Sequence, residues 1–259
     1  VVKKMLAIER RQQILERLYE KKSVTVSELS KKYDVSEETI RRDLQKLEEE
    51  GIANRTYGGA YLNGGVHYDL PIEIRETAYV KAKELIGVKC ASLINSGDTI
   101  ILDSSTTSLH IAEHIKRKSN ITVITNAIKV ASKLAECENI KVLSTGGILR
   151  ANALSYVGHI AERMLKDFYV DKAFVSCGGI HLERGILDSN ELEAEIRKVM
   201  LKQAQKKVLI ADNTKFDKTS FIKITDFDEI DMVITDKKLS DDWKAKFDKV
   251  AIEYCYCEN

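Results

Sequence analysis

Two runs of residues carry the chemistry this sequence has to offer. The first is Ser36-Glu37-Glu38-Thr39-Ile40-Arg41-Arg42-Asp43-Leu44-Gln45. Its neighbouring arginines can bond a guanine edge in bidentate fashion or pair with a phosphate. Its serine and threonine hydroxyls suit phosphate oxygens. Arg55 lies further along, where it can reach a minor groove or a nucleic-acid backbone, and Arg10, Arg11, Lys31 and Lys32 can add salt-dependent phosphate contacts. The second run is Asp103-Ser104-Ser105-Thr106-Thr107. Hydroxyls and backbone amides at a helix start form a ready anion site, so phosphate is its natural ligand.

Other spacings offer less. His110 and His114 share a helix face as a metal pair does, but no third ligand is near in the sequence, and no metal is expected. Cys90, Cys137, Cys177, Cys255 and Cys257 form no C-x-x-C, so neither a zinc ribbon nor a disulfide framework is indicated. A reduced, cytoplasmic protein follows. Cys255-Tyr256-Cys257 reads as terminal strand packing. Glu191, Glu193, Glu195 and Lys198 read as a solvated helix face, and Asp212 and Lys215 either close a pocket or merely make a turn.

The first run needs a helix with one face for anchoring and another for the groove. Ile40, Leu44 and Leu47 supply the anchor. Ser36 caps the helix, Glu37 and Glu38 complement its dipole, and Gly51 stops it. Before it, Thr25-Val26-Ser27-Glu28 reads as a capping box opening a shorter helix through about Lys32, and Tyr33-Asp34-Val35 as a turn. An earlier helix over 5–21 shows an apolar stripe of Ile8, Ile14, Leu15 and Leu18. Residues 52–62 suit a ribbon turning at Gly58-Gly59. Helix, three-residue turn, capped helix and ribbon make a winged helix-turn-helix. Thr25, Ser36, Glu37, Thr39, Arg41, Arg42, Gln45 and Arg55 are its candidate DNA contacts. The alternative is a solvated helical bundle whose arginines pair with Glu48, Glu49 and Glu50.

The second run needs a strand before it and a helix after it. Apolar runs at 99–102, 121–124, 141–143, 172–175, 207–210 and 232–234 alternate with helical patterns, which predicts an α/β domain with a mostly parallel sheet. Ligands gather at the carboxyl ends of such strands. Thr125 and Asn126, then Ser144-Thr145-Gly146-Gly147 with Arg150, end two of them and extend the candidate pocket. Gly64-Gly65 and Pro71 mark the joint, so the chain divides into a DNA-binding domain over 1–60, a linker over 61–76 and an α/β domain over 77–259. With 41 Lys and Arg against 40 Asp and Glu, the net charge of +1 excludes a wholly basic coat protein and an acidic disordered tail. No apolar stretch approaches the roughly 18–20 residues of a membrane span, and the charged N-terminal segment speaks against a secretory signal.

The run from Val35 through Leu44, with Leu47, Gly51 and Arg55-Thr56-Tyr57-Gly58-Gly59-Ala60, resembles the DeoR family of bacterial transcription regulators. In that family it is the recognition helix and the wing. Tyr57 departs from the pattern, which usually has His there, and Ser105 stands where the family usually has Gly. The resemblance covers nearly the whole chain. It implies that the second domain binds phosphorylated sugars or related intermediates, with Glu191 and Lys198 at the pocket edge. That domain is in turn similar to ribose-5-phosphate isomerase, carried by Asp171 to Gly178 and Leu209 to Lys215. Val175 and Gly178 replace the enzyme's two aspartates, Asp188 its lysine and Arg197 its glutamate base. Aldose isomerisation needs a base and an enediolate stabiliser, so binding without conversion is expected. The resemblance therefore implies a cofactor-free, non-enzymatic repressor of a sugar-metabolism operon. Its partners are double-stranded operator DNA, a phosphorylated sugar that relieves repression, and further copies of itself in a homodimer or homotetramer, with no membrane. A sugar-phosphate isomerase carrying an accessory DNA module is the alternative, and a metabolite sensor with a protein-interaction module is a third reading.

Overall fold

The computed structural model describes residues 6–21, 23–62 and 70–257. Two compact units result, Val1–Tyr79 and Val80–Asn259. The first contains α1 (Ala7–Lys21), β1 (Ser23–Thr25), α2 (Val26–Tyr33), α3 (Glu37–Glu49), β2 (Ala53–Thr56), β3 (Gly59–Leu62) and α4 (Ile72–Thr77). Its core gathers Ile14, Leu15, Leu18, Leu29, Ile40, Leu44, Leu47 and Ile52. Ile8, expected on the buried stripe of α1, is 68% exposed. It sits in the first turn, before the helix reaches the core. The buried position one turn before Ile14 is taken by Arg10 instead.

Thr25 caps α2 by accepting from the Glu28 amide at 3.2 Å. The Glu28 side chain, expected to reach back to the cap, turns to Arg17 and Lys21. Asp34 ends α2 in the left-handed region with φ 50°. Ser36 caps α3, accepting from the Thr39 amide at 3.2 Å. The expected ribbon is β2 and β3, and a third strand, β1, pairs antiparallel to β3. That strand is too short and polar to show a pattern in sequence. Gly59 is required here, because a Cβ on it would lie 2.0 Å from the Val24 carbonyl oxygen of β1. The Val26 amide also donates to the Gly58 carbonyl at 2.9 Å, tying the wing turn to the start of α2.

The segment expected as a linker over 61–76 holds the end of β3 and most of α4. Pro71 opens that helix rather than only breaking the chain. Leu70 and Ile74 pack against the core of the first unit, and Tyr79 donates through its hydroxyl to the Glu16 carbonyl at 3.4 Å. Gly64-Gly65 lies outside the described residues.

The second unit runs α5 (Val80–Ser92), β4 (Thr99–Leu102), α6 (Thr106–Ile115), β5 (Ile121–Thr125), α7 (Ile128–Leu134), β6 (Ile140–Ser144), β7 (Ile148–Arg150), β8 (Ser155–Val157), α8 (His159–Lys166), β9 (Val170–Val175), β10 (Gly179–His181), β11 (Gly185–Asp188), α9 (Glu191–Lys202), β12 (Ala204–Ile210), β13 (Ile222–Thr225), β14 (Met232–Thr235), α10 (Asp241–Lys249) and β15 (Glu253–Tyr256). Seven strands form one sheet in the order β15-β14-β12-β9-β4-β5-β6. Every pairing in it is parallel. Alternate side chains feed two cores. Ile100, Leu102, Val123, Phe174 and Val208 face the helices α5, α6 and α7. Ile101, Ile124, Ala173, Val175 and Leu209 face α8, α9 and α10. Burial on both faces is why these strands read as continuous apolar runs. Cys255 lies in β15, the edge strand, as terminal strand packing predicts. The hairpin β7–β8 and the small sheet β10-β11-β13 are additions beyond the sheet's carboxyl edge.

Candidate functional site

In the first unit, α3 buries Ile40, Asp43, Leu44 and Leu47 and presents the rest of its surface outward. Among the outward residues are Glu37, Arg41 and Gln45, with Thr39 half-buried. Arg42 is the most open of the arginines, its side chain 77% exposed. Arg41, Gln45 and Arg55 each have an acidic partner. Arg41 donates to Glu37 at 2.7 Å, Gln45 to Glu49 at 3.0 Å, and Arg55 to Glu48 at 2.9 Å. Exposed pairs of this kind contribute about 0.2–1 kcal/mol, so phosphates or base edges can displace them. Ser36 and Thr25 spend a hydroxyl lone pair on capping and remain at the surface. Tyr57 stands fully exposed at the wing turn.

Arg10 is not at the surface with the other cations. It is buried and donates to Asp43 at 2.6 Å, with Arg11 3.8 Å from the same carboxylate. The aspartate that interrupts the basic run of α3 therefore faces inward and fastens that helix to α1. A phosphate contact from Arg10, expected from its charge alone, is replaced by this internal pair.

In the second unit, the ends of β4, β5 and β6 meet α6, the β7–β8 hairpin and α9. Asp103 is the hub. It accepts from the Ser105 amide at 3.1 Å, the Ser108 hydroxyl at 2.6 Å, the Ser176 amide at 2.9 Å and Arg197 at 2.9 Å. Arg197 also pairs with Asp188. Beside them Glu193 accepts from Ser104 at 2.7 Å, from Arg150 at 2.9 Å and from Ser155. Burial pushes the Asp103 and Glu193 carboxyls up, but the Arg197 charge and these hydrogen bonds outweigh it and hold both below the ordinary range. Burial pulls Arg197 down, and its ring of carboxylates more than restores it, raising it above its ordinary value. All three groups are ionised at neutral pH.

Ser105 caps α6, accepting from the Ser108 amide at 3.0 Å, and Thr106 and Thr107 are buried in the first turn. Thr125 donates to the Leu102 carbonyl at 2.7 Å and accepts from the Ala127 amide at 3.0 Å. Asn126 is fully buried, donates to the Tyr156 carbonyl at 3.0 Å, and its side-chain oxygen has no protein partner. Gly146 and Gly147 take φ of 61° and 117°, and a Cβ on Gly147 would meet the Val157 carbonyl at 2.8 Å. They let the chain turn from β6 into the hairpin that carries Arg150 and Ser155. Asp212 is buried and accepts from the Thr214 amide at 2.9 Å, so it makes the turn it could make, with Lys215 half-buried after it. Burial pushes the nearby Cys177 thiol up to about 12, which keeps it protonated and unreactive.

The residues of α9 divide differently from the expectation of a solvated face. Glu193 is 3% exposed and Arg197 is buried. Glu191 is exposed in the first turn, and Lys198 donates to Glu195 at 2.7 Å on the outer side. The spacing Glu193, Arg197, Met200 is that of a buried helical stripe, and this was the legible signal for the network. Ser108, Ser155 and Ser176 left none, because their partners are distant in sequence. His110 and His114 flank Glu84 at 2.8 Å each. No cluster able to hold a metal exists among the described residues. No described helix is long and apolar enough to cross a membrane.

A winged helix-turn-helix followed by an α/β unit with polar strand ends defines a class of DNA-binding regulator with a sensor. Family comparison agrees: residues 10–65 match the DeoR-like helix-turn-helix domain and residues 79–237 the DeoR C terminal sensor domain. This chain belongs to the DeoR family and is a transcription regulator, not an enzyme. It is 41% identical to an uncharacterised HTH-type transcriptional regulator of Bacillus subtilis, over 91% of each chain. It is 36% identical to a putative aga operon transcriptional repressor of Escherichia coli O157:H7, over 95% of this chain and 92% of that one. A solved ribose-5-phosphate isomerase in complex with phospho-erythronic acid aligns at a TM-score of 0.40 and 12% identity, over 53% of this chain and 54% of that one.

Proposed function

We propose that this regulator represses a sugar-metabolism operon and is released from its operator by a phosphorylated sugar. The observation that carries the DNA half is the open arginine face of α3, set on an anchored helix beside an exposed wing. Thr25, Ser36, Glu37, Thr39, Arg41, Arg42, Gln45 and Arg55 are its contacts in this reading. The sensing half is supported by the helix start at Ser105 to Thr107 beside Asp103 and Ser104, with Thr125, Asn126, Gly146, Gly147 and Arg150 around it. Asp212 and Lys215 border it, and Glu191 and Lys198 are outlying candidates. Arg197, which the resemblance to the isomerase sets in place of the glutamate base, is held by two carboxylates and offers no base. The regulator acts in the cytoplasm as a homodimer or homotetramer, because one winged unit offers too few base contacts for a unique site.

A gel-shift assay with the DNA upstream of its own and adjacent genes, in the presence of a panel of sugar phosphates, tests this. Retention of one duplex at low salt and its release by one sugar phosphate is the expected result. Arg41→Ala and Arg42→Ala should each weaken binding by about 1–3 kcal/mol if bidentate to guanine. No retained duplex sinks the reading. One relative, 32% identical, is named an L-fucose operon activator of Haemophilus influenzae. A transcript that falls rather than rises when the gene is deleted would assign activation here too.

A further inference from the structure

The outward face of α3 carries one acidic residue that no hydrogen bond closes. Four carboxylates border the outward side of α3. Glu37, Glu48 and Glu49 are each closed by a hydrogen bond, to Arg41, Arg55 and Gln45. Glu38 is different. Its side chain is 64% exposed and lies between the two arginines, 3.6 Å from Arg42 and 4.0 Å from Arg41. Both separations exceed hydrogen-bond length, so both of its oxygens keep their acceptor capacity. It occupies the first turn, and N-terminal residues of a recognition helix meet base edges.

A carboxylate at that place cannot face a phosphate, which repels it. In the major groove it requires an amino group, offered only by cytosine N4 and adenine N6. Adenine presents its N7 acceptor beside N6, and that nitrogen opposes a second carboxylate oxygen. Cytosine presents N4 alone, and its paired guanine presents the O6 and N7 acceptors that an arginine one helical turn away can take. We infer that Glu38 is a specificity-determining residue that accepts from a cytosine amino group, with Arg42 on the guanine of the same or the adjacent pair. This inference rests on the DNA-binding reading of α3 and adds a residue and a base to it.

Selection of the full-length protein against a duplex library with a randomised core tests it whatever sequence the operator has. Wild type should enrich a site with one invariant cytosine that Glu38→Gln no longer selects, with the other positions retained. Affinity for the wild-type site relative to its cytosine-to-thymine variant should fall about tenfold to a hundredfold in E38Q, while the melting temperature stays close to wild type. An unchanged selected sequence overturns the inference. So does an equal gain of affinity for all duplexes, which would make Glu38 only a repulsive charge. Wild type enriching no sequence at all removes the DNA-binding reading itself, a result distinct from either.

Discussion

Arg197 is a buried cation set among carboxylates. Asp103, Asp188 and Glu193 surround it, and Arg150 assists at Glu193. Breaking a buried pair by removing one partner costs about 3–5 kcal/mol, because the other charge is left buried. Arg197→Met should therefore destabilise the sensor unit by that amount in urea denaturation at neutral pH. The pH dependence separates this from simple repacking. Asp103 and Glu193 have folded values below their unfolded ones, so their contribution is complete above about pH 4–5 and fades as acid protonates them. In the variant, burial without the cation raises Asp103, and the slope reverses: stability should increase as pH falls toward about 4. A variant whose stability declines with acid as wild type does would show that Arg197 is not what holds these groups ionised.

The elements themselves were legible where their periodicity was long and local. α1, α3, six of the seven strands of the parallel sheet and the helices between them announce themselves through apolar spacing and caps such as Ser36. What stayed hidden depended on partners far along the chain. β1 is three residues long and exists because β3 pairs with it. α4 was obscured by Pro71, which reads as a breaker and serves as a helix opener. The polar network needed Glu193 to turn inward, which only its spacing with Arg197 and Met200 signals, and its serine partners lie far along the chain. Gly59 offers the test at this scale. Gly59→Ala would press a Cβ onto the Val24 carbonyl and force β3 from β1. It should destabilise the first unit by about 1–3 kcal/mol or more and weaken retention of DNA. Sugar-phosphate affinity, measured by calorimetry, should not change. Intact DNA retention would mean that the wing does not depend on this close approach.

For the whole molecule, sensing and gripping must be linked by free energy. A ligand that binds the free and DNA-bound proteins equally well shifts nothing. The effector that releases the operator must therefore bind less tightly when operator is present, and by the same factor. Calorimetric titration of the releasing sugar phosphate, with and without saturating operator duplex, should give a ratio of dissociation constants equal to the loss of DNA affinity it causes. Unequal factors would show that another equilibrium, such as subunit association, intervenes.

The bond from the Val26 amide to the Gly58 carbonyl has a mechanical consequence. Together with the pairing of β1 and β3 it ties the loop tip bearing Tyr57 to the cap bearing Thr25, so changing the spacing of these two points has to break backbone bonds. To the extent that these bonds hold, misfit shifts onto the nucleic acid. Easily kinked steps will then be preferred even at positions that no side chain touches.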